Sequence, residues 1–194
     1  EQGIGRITLN RPDQYNALNR RLTEEASEAL ARFASDDELQ VMILTGAGRS
    51  FSAGGDLAWL LEADDIQKKR DVVDRAGELM SALDRMEKPL IAAVNGVAAG
   101  AGTALALACD MIIASESAKF APNFVNIGAV PDSGASWYLP RVVGYHKAAE
   151  LMLTGRLLKA EEALNLGLFN RVVPAETLEQ ESLETARAIV NGPR

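Results

Sequence analysis

The stretch Leu90-Ile91-Ala92-Ala93-Val94-Asn95-Gly96-Val97-Ala98-Ala99-Gly100-Ala101-Gly102 decides the fold class. Its first five residues are apolar without alternation, which reads as a strand covered on both faces. A glycine-rich loop follows, and a small-residue helix is expected from about Thr103 to Ala108. The same order recurs upstream, where Val41-Met42-Ile43-Leu44-Thr45 is a second buried strand. It runs into Gly46-Ala47-Gly48-Arg49-Ser50-Phe51-Ser52-Ala53-Gly54-Gly55-Asp56, a segment read as too glycine-rich for regular structure.

Strand and helix patterns alternate along the rest of the chain. Ile4 to Leu9 alternates apolar and polar residues and ends at the turn signal Asn10-Arg11-Pro12-Asp13. Leu22, Ala26, Ala29, Leu30 and Phe33 share one helical face, as do Val72, Val73, Ala76, Leu79, Met80, Leu83 and Met86 before Lys88-Pro89. Met111 to Ala114 reads as a strand, and Phe120 to Gly134 as irregular. Helical patterns return over Trp137–Leu153 and Ala160–Leu166, with Gly167 at a C′ position. Arg171-Val172-Val173 is a last short strand, and a final helical pattern through Leu178, Leu183, Ala186, Ile189 and Val190 ends at Asn191-Gly192-Pro193-Arg194. With no repeat and no low-complexity linker, this is one α/β domain.

Composition bounds what such a domain does. The 194 residues are 47% hydrophobic and 24% charged, a globular balance that excludes disorder. A formal net charge of −7 argues against unaided binding to nucleic acid or an anionic membrane. No apolar run approaches the roughly 18 residues of a membrane span. The single cysteine, Cys109, permits no intrachain disulfide and no multi-cysteine metal site. The composition is of the cytoplasmic type. The start, Glu1-Gln2-Gly3, has neither Met nor a signal-like segment, so the natural chain is expected to begin further upstream.

The two glycine loops follow strands and precede helices, where open α/β sheets bind ligands. Gly46 to Asp56 lacks the Lys-Ser/Thr of a phosphate loop. Gly100-Ala101-Gly102 begins like a dinucleotide fingerprint, but Leu105 stands where its third glycine belongs. Two readings remain open from these residues. Small residues let a substrate oxygen approach backbone N–H groups, with a helix starting near Thr103 aiming its dipole at that oxygen. Alternatively the glycines only permit tight turns and close packing.

Ile7-Thr8-Leu9-Asn10-Arg11-Pro12, Asn16-Ala17-Leu18, Phe51-Ser52-Ala53-Gly54-Gly55-Asp56-Leu57, Lys88 to Gly96, Gly100-Ala101-Gly102, Cys109-Asp110, Leu153-Thr154-Gly155 and Val172-Val173-Pro174 together resemble the crotonase (enoyl-CoA hydratase/isomerase) superfamily. The resemblance runs in order over essentially the whole chain. It implies an α/β spiral of ββα turns over residues 1–180 and, at 181–194, the start of a C-terminal helical region that is otherwise missing. It implies an acyl-CoA thioester as ligand, with CoA part of the substrate, no separate cofactor and no metal. Homotrimers or dimers of trimers are the expected assembly. By position, the Gly55 and Ala101 N–H groups would form an oxyanion hole, Ala101 standing where relatives more often have glycine. The backbone of Ser52, Ala53, Asp56 and Leu57 would lie along the adenine and pantetheine arm, and Phe124 and Trp137 are expected at the substrate.

Hydratases of this family use two glutamates, and the matching positions here hold Ala104 and Phe124, which carry no proton. The acid that remains is Asp132 in Pro131-Asp132-Ser133-Gly134. Read locally, that motif is turn chemistry, or a cap for the following helix. The resemblance instead places Asp132 where isomerases of the family, including the ring-epoxyphenylacetyl-CoA type, carry their acid. One carboxylate suffices to shift a double bond, taking a proton from C2 and returning it at C4. Phe124, Val130 and Trp137 are expected to desolvate it and raise its pKa. The alternatives are a hydratase with an unconventional base and an inactive acyl-CoA binder. A dehalogenase branch shares the aspartate but needs a histidine near Gly77, whereas the only histidine, His146, reads as a surface residue. Cys109 reads as a buried small hydrophobe, Lys68-Lys69-Arg70 as a solvated helix turn, and Trp59, Leu60 and Leu61 as facing either the acyl pocket or the core.

Overall fold

The computed structural model describes residues 3–62 and 64–192, so the chain ends Glu1-Gln2 and Pro193-Arg194 lie outside the described residues. The chain alternates between two sheets. β1 (Ile4–Leu9) leads through a 3-10 turn (Pro12–Gln14) to α1 (Arg20–Ser35). Each following turn of the chain lays one strand in a first sheet, one in a second, and returns by helix. β2 (Val41–Gly46) and β3 (Ser50–Ser52) are followed by α2 (Leu57–Glu62) and α3 (Ile66–Asp84). β4 (Leu90–Val94) and β5 (Val97–Ala99) are followed by α4 (Ala101–Leu107). β6 (Met111–Ser115) and β7 (Lys119–Ala121) lead through a 3-10 turn (Phe124–Ile127) to α5 (Ala135–Val143) and α6 (Tyr145–Thr154). β8 (Leu158–Lys159), α7 (Ala160–Asn165), β9 (Arg171–Val173) and α8 (Leu178–Val190) complete the chain.

The first sheet has order β1-β2-β4-β6-β9 and is parallel throughout. The second has order β3-β5-β7-β8, with only β8 antiparallel. This is the expected spiral of ββα turns. β2 and β4 are buried at every residue, which explains their unbroken apolar runs. The main core lies between the sheets and α1, α3, α4, α5 and α6, and holds Phe51, Phe120, Leu105 and Leu139. A smaller core on the outer face of the first sheet is covered by α8 through Leu178 and Ala186. The expected boundary at residues 180 and 181 falls inside α8.

The two glycine loops are more regular than their composition predicts. β3 and β5 are strands inside them, because each pairs with a distant neighbour: Ser50 opposite Val97, and Val97 opposite Lys119. Residues 119–121 likewise form β7 at the start of the segment read as irregular. The helical stretch over Trp137–Leu153 is two helices, broken at Gly144, whose φ of 77° a side chain would disfavour. α4 begins at Ala101, two residues earlier than the sequence pattern indicates, and all of its residues are buried. Gly167 has φ of 77° and follows α7 as the expected C′ residue.

The position of α4 depends on the absence of a side chain at Gly102. A Cβ there would lie 2.3 Å from the Ser52 carbonyl oxygen on β3, so the helix rests directly on strand backbone. Gly102→Ala is therefore expected to cost about 1–3 kcal/mol, since backbone must move to admit the methyl group. Gly77, on the exposed face of α3 with nothing within 4 Å of its Cβ position, provides the control. Gly77→Ala is expected to stabilise by about 0.5–1 kcal/mol through helix propensity. Urea denaturation of both variants would check the opposite signs.

Candidate active site

The two glycine loops meet, and their meeting is backbone on backbone. Gly54 has φ of 90°, and a Cβ on it would fall 2.6 Å from the Ala99 oxygen and 2.9 Å from the Ala101 nitrogen. Gly55 forms a parallel bridge with Leu18, whose N–H donates to the Gly54 carbonyl (2.7 Å) and whose carbonyl accepts from the Asp56 N–H (3.0 Å). In a parallel bridge the central residue's own N–H points away from its partner. The Gly55 N–H has no acceptor among the described residues, and neither has the Ala101 N–H at the start of α4. Gly100, the residue before α4, supplies no side-chain cap and has φ 49° and ψ −125°. Two uncommitted N–H donors are thus held on adjoining loops, one of them at a helix N-terminus.

Asparagines and one ion pair set this geometry. Asn16 is fully buried; its Oδ1 accepts from Arg11 N–H (2.9 Å) and its Nδ2 donates to the carbonyls of Ala47 (2.9 Å) and Ser50 (2.8 Å). Asn95 accepts from Gly46 N–H (3.2 Å) and donates to the carbonyls of Gly48 (2.9 Å) and Ser50 (3.1 Å). Asn123 Oδ1 accepts from Gly100 N–H at 3.0 Å, sharing it with the Ala121 carbonyl at 2.9 Å. Arg11 donates to Asp56 Oδ2 (2.8 Å) and to the Ala17 carbonyl (2.6 Å), bracing the chain just after Gly55. Burial pushes the Asp56 carboxyl up, but hydrogen bonds from Arg11, Ala58 and Trp59, with the Arg11 charge, hold it below its ordinary value. Sequence reasoning assigned no role to Asn16, Asn95 or Asn123. Asn16 and Asn95 lay within the quoted motifs, whereas Asn123 had no signal, because its partner is distant in the chain.

The four residues expected along the CoA arm differ in access. Ser52 is wholly buried, its hydroxyl donating to the Asn16 carbonyl (2.9 Å) and accepting from Gly54 N–H (3.2 Å). Ala53 and Leu57 are exposed and Asp56 is half-buried. α2 buries none of its residues, so Trp59, Leu60 and Leu61 do not face the core. Leu60 lies over Gly55, its Cδ1 3.3 Å from where a Cβ would stand. Phe124 is packed into the main core, while Trp137 is exposed with the Arg141 guanidinium stacked 3.1 Å from its ring centre. Val130 is also exposed, so it and Trp137 leave much of their surface to water.

Asp132 lies in a tight turn before α5, which packs against α4. Its carbonyl accepts from Ala135 N–H (2.8 Å), and Ser133 and Gly134 between them have φ of 50° and 82°, the pattern of a type I′ turn. The turn expectation holds; the capping alternative does not, because α5 has no side-chain cap. The carboxylate enters no ion pair among the described residues and accepts one side-chain hydrogen bond, from Ser133 Oγ at 3.0 Å. Asp132 is exposed as a residue, yet desolvation of its carboxyl outweighs the hydrogen bonds from Ser133 and from its own N–H, and its pKa is raised. The non-glycine residues with positive φ among those described are Tyr15, Asn16 and Ser133; the first two bond to the first glycine loop and the third to Asp132. Such strain persists where surrounding structure over-determines it, which is common at functional sites.

Ala104 and Phe124 are buried in the core. Gly77 is on exposed α3, and His146 is exposed on α6 with its ring edge-on to Tyr145 at 5.4 Å. Burial pushes the Cys109 thiol up to about 12, an inert buried group. Lys68, Lys69 and Arg70 are exposed in the first turn of α3, Lys68 paired with Asp64. Among the described residues no group of three or more His, Cys, Asp or Glu side chains is placed to hold a metal ion, and no helix is long and apolar enough to cross a membrane.

Comparison with known proteins agrees with this geometry. The family model for enoyl-CoA hydratase/isomerase matches residues 1–194. The chain is 41% identical to the 1,2-epoxyphenylacetyl-CoA isomerase of Escherichia coli, covering 100% of this chain and 75% of that protein. It is 38% identical to the short-chain-enoyl-CoA hydratase of Clostridium acetobutylicum, over 98% of this chain and 73% of that one. The enoyl-CoA hydratase of Bacillus anthracis superposes with a TM-score of 0.95 at 37% identity, over 99% of this chain and 74% of its own. Fold, paired glycine loops and full-length similarity converge: the chain belongs to the enoyl-CoA hydratase/isomerase family, within the crotonase superfamily.

Proposed function

We propose that this protein is an enoyl-CoA isomerase in which Asp132 moves a proton along the acyl chain of a thioester. The observation that carries the proposal is the setting of Asp132: a carboxyl in a strained turn before α5, in no ion pair among the described residues and capping no helix, its pKa raised. The thioester oxygen accepts hydrogen bonds from the Gly55 and Ala101 N–H groups. Asp132 takes the C2 proton of a 3-enoyl thioester, and the C–H electron pair is delocalised into a dienolate whose charge rests on that oxygen. The protonated Asp132 then donates to C4, leaving the double bond between C2 and C3. Atoms balance without added water, and the same residue alternates as base and acid. Apolar Leu60 over Gly55 lowers the local dielectric at the oxyanion, which strengthens both donors.

A 41% identical relative is named as an isomerase, and Ala104 and Phe124 leave the usual pair of hydratase acids unfilled. A second reading, water addition with Asp132 as an unconventional base, draws support from the exposure of Asp132 and from relatives named as hydratases. Incubation with 3-enoyl-CoA and 2-enoyl-CoA, followed by mass and chromatography, separates them. An isomer of unchanged mass supports the proposal, a gain of one water supports hydration, and binding without turnover supports an inactive acyl-CoA binder. We assign the protein no separate cofactor, CoA being part of the substrate.

Asp132→Asn is expected to lower kcat for isomerisation by on the order of 10²–10⁴-fold while acyl-CoA binding, followed by calorimetry, is kept. Its effect on stability should have the opposite sign. The folded-state pKa of Asp132 lies above its unfolded value, so its contribution to stability is full below the ordinary aspartate range and lost as pH rises through the raised value. At neutral pH the variant should melt no lower than the parent. Gly54→Ala is expected to lower kcat about a hundredfold or more, because its methyl group displaces the Ala101 N–H. Steady-state kinetics on the folded variant would check this.

A further inference from the structure

Ser133 occupies a position that its backbone makes expensive. With φ of 50°, it is the first central residue of a type I′ turn, where glycine or asparagine is the usual occupant. A serine there is strained, and nothing about the turn itself needs a hydroxyl. The hydroxyl makes one hydrogen bond, to Asp132 Oδ1 at 3.0 Å. We infer that Ser133 is a positioning residue whose hydroxyl orients the Asp132 carboxylate and favours its charged form. The inference deepens the assignment of Asp132 as the proton carrier and rests on it for its consequence in catalysis.

The surroundings leave this task to hydrogen bonding. α4, which packs against α5, and the 3-10 turn Phe124–Ile127, which packs against α6, carry no titratable side chain. On α5, Tyr138 donates to Asp84 of α3 (2.9 Å) and Arg141 stacks on Trp137. On α6, Tyr145 and His146 contact each other and Lys147 pairs with Glu150 (2.6 Å). None of these groups forms an ion pair with Asp132 among the described residues. For a carboxylate without a cation, hydrogen-bond donors are what favour the charged form against desolvation. The Ser133 hydroxyl and the Asp132 N–H are those donors. An Asp132 kept fully protonated could not begin the reaction, so the hydroxyl sets the lower edge of the working pH range.

The test is carbon NMR titration of the labelled Asp132 carboxyl in the parent, Ser133→Gly and Ser133→Ala, beside the pH dependence of kcat/KM for isomerisation. Ser133→Gly removes the hydroxyl and relieves the backbone at once, so it should melt no lower than the parent. The Asp132 midpoint and the acid limb of kcat/KM are expected to rise together by about half to one pH unit. Ser133→Ala, which keeps the strain and loses the hydroxyl, should show the same rise with a lower melting temperature. An unmoved Asp132 midpoint in folded Ser133→Gly overturns the inference, whatever Asp132→Asn does to turnover. A midpoint that rises while kcat/KM keeps its pH profile upholds the contact and overturns the assignment of Asp132 as the proton carrier.

Discussion

The site depends on an approach of backbone to backbone that no side chain could occupy. Gly54 rests against the Ala99 carbonyl and the Ala101 nitrogen, and Gly102 against the Ser52 carbonyl. These contacts bring two chain segments, widely separated in sequence, side by side, each with an uncommitted backbone N–H. Their orientation comes from elsewhere: the bridge from Leu18, the staples of Asn16 and Asn95, and the bond from Asn123 to Gly100.

Two aspartates show how environment divides similar groups. Asp56 is braced by Arg11 and by N–H groups of α2, and its pKa falls. Asp132 has no cation, and its pKa rises. In the mechanism proposed above, the first is architectural and the second carries the proton. The strain at Ser133 belongs to the same pattern, since a comfortable turn residue would have left Asp132 with fewer donors. Such an arrangement exchanges some stability for chemistry.

The sequence alone determined the α/β class, the buried strands β2 and β4, the helix faces of α1 and α8, most of that of α3 (Val73, expected on it, is exposed), and the family, because each rests on local periodicity or on motifs that survive in one chain. It also singled out Gly55, Ala101 and Asp132, though only through resemblance. β3, β5 and β7 escaped a local reading because a three-residue strand exists only through its distant partners. Composition marked Gly46–Asp56 and Asn95–Gly102 as loops, and their strand character came from pairing across the spiral. Tertiary structure alone decided that Ser52 is inaccessible while Ala53 is open, that α2 stands clear of the core, and that Gly55 and Ala101 direct unpaired N–H groups from adjoining loops. It also decided between cap and turn for Asp132, since a carboxylate's role depends on which donors reach it, and donors are a property of three-dimensional neighbours.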